Sequence, residues 1–138
     1  MKKWISVLAV IAVATGILYL TFQGPAETKE LTQKAQMLLE QIGVHVEEKP
    51  LRHYVHYALY LILGLAMCVL CLTKDWKLSV GMLIGCGIGV IDEGIKVLLP
   101  TREFDVTDLM RDFVGVAVAM LVIKIVVAIT EKYRKTET

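Results

Sequence analysis

The stretch LSVGMLIGCGIGVIDEGIKVLL, residues 78–99, decides the fold. Its 22 residues form a helix long enough to cross a hydrocarbon layer of about 30 Å at about 1.5 Å rise per residue. The run opens without a charge and closes on Asp92, Glu93 and Lys96. Gly81, Gly85, Gly89 and Glu93 recur every fourth residue, so they share one face. Small residues at that spacing let a second helix approach closely. The same face therefore points Glu93 into a bundle, roughly 22 Å along the span from Leu78, rather than into lipid.

Around this helix lie three more apolar runs, at residues 4–22, 54–72 and 109–129. The chain is 56% hydrophobic, with a mean hydropathy of +0.61, which suits a membrane protein better than a soluble one. The first run follows Lys2 and Lys3. It is longer than a signal-peptide core of about 7–15 residues and lacks a convincing cleavage site, so an uncleaved anchor is expected. Four spans place both termini on one side. Lys2, Lys3, Lys74, Lys77, Lys132, Arg134 and Lys135 all fall on that side, which the positive-inside rule makes cytoplasmic.

Between the first two spans, Leu31, Ala35, Leu38, Leu39 and Ile42 make one apolar stripe on an otherwise polar segment bounded by Pro25 and Pro50. That pattern predicts an extracytoplasmic amphipathic helix on the membrane surface or over the bundle. The expected fold is thus an all-α membrane protein, a four-transmembrane-helix bundle with this extra helix. Its parts are an anchor at 1–23, the amphipathic segment at 24–50, a three-helix membrane core at 51–130 and a basic tail at 131–138.

Charge is concentrated at one end. Asp92, Glu93, Lys96, Arg102, Glu103, Asp105, Asp108, Arg111 and Asp112 lie between Gly89 and Gly115, and His56 sits just inside the corresponding end of the second span. Asp108, Asp112, Gly115 and Ala119 share a helical face, as do His56, Tyr60, Leu63, Gly64 and Met67. Three helices thereby bring polar groups to one depth. A carboxylate in hydrocarbon must pair, protonate or meet water, and Lys96 can serve Glu93 at i+3 and Asp92 at i+4. An excess of carboxylate beside an imidazole can bind a cation, exchange protons or accept hydrogen bonds, and the arginines can hold an anionic head group.

Other chemistry lacks a signature. Cys68, Cys71 and Cys86 lie in apolar runs and read as small buried hydrophobes rather than as a redox or metal set. No zinc spacing, nucleophile elbow or phosphate loop occurs, so neither a metal nor a cofactor is expected. A net charge of +1 offers no basic face for nucleic acid. Oligomeric state is not written in the sequence.

The motif residues resemble those of the VanZ-like family of small bacterial membrane proteins. The family pattern runs from a basic residue through His and Tyr to Leu-Gly, matched by Arg52, His56, Tyr60, Leu63 and Gly64. Asp-Glu-x-x-Gln, Pro-Gly-Arg and Asp-x-x-x-Asn-x-x-Gly follow. They are matched by Asp92, Glu93 and Lys96, by Pro100, Thr101 and Arg102, and by Asp108, Asp112 and Gly115. The resemblance covers about residues 50–125. Lys96, Thr101 and Asp112 depart from the usual Gln, Gly and Asn, and Lys96 and Asp112 are expected to offset one another's charge. The resemblance implies an integral protein of the bacterial plasma membrane, of a family whose founding member is linked to teicoplanin resistance.

Three expectations follow. The first is a cell-envelope protein whose outer-leaflet polar pocket binds a lipid-linked wall precursor or a lipoglycopeptide antibiotic, with membrane lipids as neighbours. Arg102 would hold an anionic head group, while Asp92, Glu93 and Asp108 would shape the pocket and His56 and Tyr60 would line it. Arg52, Lys96, Arg111 and Asp112 complete the expected ligand-binding set. The second is an enzyme acting on a lipid or wall precursor, with Glu93 or Asp92 as base and His56 as acid or metal ligand. The third is a structural lattice of ion pairs, which requires every carboxylate to be matched and no pocket to remain.

Overall fold

The computed structural model describes residues 2–100 and 103–136, with the backbone alone for residues 2, 3, 25, 48–50, 52, 135 and 136. Five helices and no strands make up the described residues: α1 (Lys2–Phe22), α2 (Pro25–Gln41), α3 (Glu48–Lys74), α4 (Leu78–Leu98) and α5 (Val106–Thr136). Four are long and apolar enough to cross a membrane, at Trp4–Phe22, His53–Lys74, Leu78–Leu98 and Val106–Arg134. The fold is the expected four-span bundle with an added amphipathic helix.

The ends of the helices follow from local chemistry. Pro25 opens α2, where its missing N–H costs nothing, and the Gly24 N–H donates to Glu27 Oε2 at 3.0 Å. Gly43, at φ 81°, closes that helix. Its N–H donates to the Glu40 carbonyl and the Val44 N–H to that of Leu39, the paired bonds of a Schellman motif. Helix α3 starts at Glu48, before Pro50 rather than after it, because a proline in the first turn has no intrahelical hydrogen bond to lose. At α5 the Asp105 Oδ1 accepts the Thr107 N–H at 2.8 Å and caps the helix start.

Helix α3 is the centre of the bundle. It packs most extensively on α5, then on α1 and α4, and α2 rests on its N-terminal part. Tyr60, Leu63, Met67, Leu70, Val116 and Ile17 form the buried core. Glycine allows the closest of these contacts: a Cβ on Gly64 would stand 2.6 Å from Ala119 Cβ, and one on Gly115 would stand 3.0 Å from the Tyr57 carbonyl oxygen. Gly81, Gly85 and Gly89 are buried in line with Glu93, so the glycine face of α4 does turn inward. At the opposite end from α2, Ser6 and Thr73 hydroxyls meet at 2.9 Å and tie α1 to α3. Large side chains such as Leu8, Leu83, Leu121 and Ile125 stay exposed on the outer surfaces, which suits a lipid solvent.

Candidate functional site

The polar residues of α3, α4 and α5 meet inside the bundle. Asp112 and Glu93 are 0% exposed, Asp92 2%, and Lys96 and Asp108 3%. No helix surface in lipid could hold four carboxylates and an ammonium at such burial unless they compensate one another. They do so in part. Lys96 Nζ bonds Glu93 Oε1, three residues back on α4, and stands 3.9 Å from Asp92 Oδ2. Arg111 bonds Asp108 on α5. Among the described residues no ion pair joins Lys96 to Asp112 directly. Lys96 has its nearer partners on its own helix, and Asp112 faces His56 instead.

His56 bridges two turns of α5. Its Nδ1 is 3.1 Å from Asp112 Oδ1 and its Nε2 is 3.6 Å from Asp108 Oδ2. Asp112 Oδ2, on the other side of the same carboxylate, is buried and has no hydrogen-bond partner, and the Tyr60 hydroxyl is in the same position. Glu93 Oε2 accepts the Asp105 N–H at 3.3 Å, which links the buried cluster to the loop before α5. Asp105 itself is exposed. Hydrogen bonds from the Thr107 hydroxyl and N–H hold its carboxyl below the ordinary carboxylate range.

Beside the cluster lies a cavity of about 260 Å³, lined by the ends of α1 and α3, by α2 and by α4. Its walls are mostly apolar, from Ile17, Leu20, Leu31, Ala35, Val55 and Leu59. His56, Tyr60, Asp92, Lys96 and Thr21 line it from the side of the cluster, and Gln23, Thr28 and Thr32 add further polar groups. Glu93, Asp108 and Asp112 stand behind these residues, outside the lining. Helix α2 thus forms a wall of the cavity, through Thr28, Leu31, Thr32 and Ala35, while Leu38 and Ile42 stay exposed.

Among the expected residues, Asp92, Glu93, Lys96, Asp108, Arg111 and Asp112 gather with His56 and Tyr60. Arg102 and the side chain of Arg52 lie outside the described residues. Thr21 was not foreseen: its hydroxyl bonds Asp92 Oδ1, so α1 contributes to the site as well. The available signal was depth, since Thr21 lies near the same end of its span as Asp92 does.

The VanZ/LLP1 family model matches residues 6–127, nearly all of the bundle. Neither a curated protein nor a solved structure matches the chain.

Proposed function

The chain belongs to the VanZ/LLP1 family, and from that premise we propose that it is a cell-envelope protein of the bacterial plasma membrane that binds an acyl- or prenyl-bearing wall precursor or lipoglycopeptide antibiotic. The observation that carries this reading is the cavity of about 260 Å³, mostly apolar in its lining and bordered by the polar cluster through His56, Tyr60, Asp92 and Lys96. A ligand with a hydrocarbon tail and a head rich in hydroxyl, amide or amine groups suits those two surfaces. The tail lies against Ile17, Leu31 and Leu59, and the head donates hydrogen bonds to Asp92 with Tyr60 and His56 alongside. Lys96 supplies a local positive group for a carboxylate or phosphate oxygen.

The termini are cytoplasmic in this reading, which puts the cavity and α2 at the outer leaflet, where both ligand types occur. The long apolar tail explains why a lipid-level site would distinguish teicoplanin, which carries an acyl chain, from an unacylated glycopeptide. A purely structural lattice fits less well, because it leaves no reason for a cavity or for the unmatched Asp112 Oδ2. Catalysis on the same ligand is the second reading, favoured by the placement of His56 against Asp112 as a base and its orienting carboxylate.

Teicoplanin and vancomycin susceptibilities in a sensitive Gram-positive host test the proposal. Wild type is expected to shift teicoplanin susceptibility and spare vancomycin, and Leu59→Trp, which fills the cavity, to abolish the shift at equal membrane abundance. Equal susceptibility of wild type and empty vector to teicoplanin would overturn the antibiotic branch. Failure of the purified protein to retain polyprenyl-linked precursors would overturn the other.

A further inference from the structure

We propose that Asp92, Glu93 and Asp112 form a buried site for one hard divalent cation. One carboxylate oxygen from each of the three lies within 4.8 Å of the others, and all three residues are buried. An ion at the centre of such a triangle stands no more than about 2.8 Å from each oxygen, within reach of the distances of about 2.3–2.6 Å that Ca²⁺ takes and about 2.0–2.1 Å that Mg²⁺ takes. Oxygen-only ligation also selects hard cations over zinc or copper.

Charge points the same way. Among the described side chains, four buried acidic residues, Asp92, Glu93, Asp108 and Asp112, face two basic ones, Lys96 and Arg111. Counted formally, with His56 left out, they differ by two negative charges, in a place where an uncompensated charge is expensive. One divalent ion closes that difference.

An independent observation marks where it would sit. Asp112 Oδ2 is fully buried and without a hydrogen-bond partner. It turns toward Gly89, where the absence of a side chain leaves room: a Cβ there would meet Asp112 Oδ2 at 3.7 Å and Tyr60 Cε1 at 3.4 Å. The Tyr60 hydroxyl, also without a hydrogen-bond partner, belongs to the same side of the cluster. A second triad, His56, Glu93 and Asp108, has comparable spacing; each triad already holds a basic partner, Lys96 on Glu93 and Arg111 on Asp108, and the first is preferred because it contains the unpartnered Asp112 Oδ2. The site stands independently of the lipid-binding reading, because the ion alone satisfies it.

The test is equilibrium dialysis of purified protein in nanodiscs against Ca²⁺, Mg²⁺ or Mn²⁺, with metal content measured per chain and Mn²⁺ followed by electron paramagnetic resonance. Wild type is expected to hold one of these divalent ions per chain. Asp112→Asn and Glu93→Gln are each expected to weaken it at least tenfold, while Glu131→Gln, an exposed acid far from the cluster, leaves it unchanged. Using two ligand variants keeps the test valid if either fails to fold. Absence of stoichiometric binding by wild type overturns the proposal, as does binding that survives in whichever ligand variant folds.

Discussion

Replacing Lys96 by methionine keeps the length of the side chain and removes its charge. Lys96 is 3% exposed, bonds Glu93 and stands 3.9 Å from Asp92 Oδ2, so it serves two buried carboxylates. A pair of unit charges about 4 Å apart interacts by about 4 kcal/mol at an effective dielectric near 20. Breaking a buried pair by deleting one partner costs about 3–5 kcal/mol, because the remaining charge keeps its desolvation penalty. Against a total stability of about 5–15 kcal/mol, Lys96→Met should remove about a fifth of it or more. The double variant Lys96→Met/Glu93→Gln should recover at least about 2 kcal/mol, since it removes the stranded charge while keeping an acceptor for the Asp105 N–H. Steric trapping in bicelles measures both unfolding free energies. A single variant within about 0.5 kcal/mol of wild type would refute the argument, as would a double variant no more stable than the single.

Gly64→Ala should destabilise by about 1–3 kcal/mol, because its Cβ would stand 2.6 Å from Ala119 Cβ; combining it with Ala119→Gly should restore part of the loss in the same unfolding assay. Asp105→Ala should cost about 0.5–1 kcal/mol through loss of the α5 cap, seen as faster amide exchange in the first turn of that helix. The Asp105 carboxyl is depressed by Thr107, so the cap is present above the ordinary carboxylate value of 3.8 and is lost as pH falls through the lower folded value; wild-type exchange in that turn should rise there and Asp105→Ala should show no such rise. With Cys68, Cys71 and Cys86 replaced, Lys34→Cys should react with an impermeant maleimide on intact cells and Lys77→Cys only after permeabilisation; the reverse pattern would invert the proposed orientation.

Much of the arrangement was readable because membrane spans are nearly one-dimensional. A count of residues gives depth, and a period of about 3.6 gives facing, so Gly81, Gly85, Gly89 and Glu93 could be turned inward before any contact was known. The same arithmetic joined His56 to Asp108 and Asp112. Pairing within the cluster was less legible, because several partners share one depth. Lys96 bonds the carboxylate one turn away on α4, while the imidazole takes Asp112. Thr21 was hidden for a different reason. A threonine in a helix can satisfy its hydroxyl on its own backbone, here the Ile17 carbonyl at 3.1 Å, so its presence in an apolar run asks for no partner. The cavity depends on how α2 lies across α3, a relation between elements that periodicity does not encode.

The glycine contacts of α3 and α5 also set the mechanics of the bundle. Where Gly64 meets Ala119 and Gly115 meets Tyr57, the two backbones are already at contact distance, and sliding one past the other would drive side chains into main chain. These two helices act as a rigid post. Helix α1 packs chiefly on α3 and only lightly on α4, and it passes into α2 through the short link at Gln23 and Gly24. Rocking of α1 and α2 about that post would therefore open the cavity sideways, and because the Thr21 hydroxyl bonds Asp92 the same motion would pull on the carboxylate cluster.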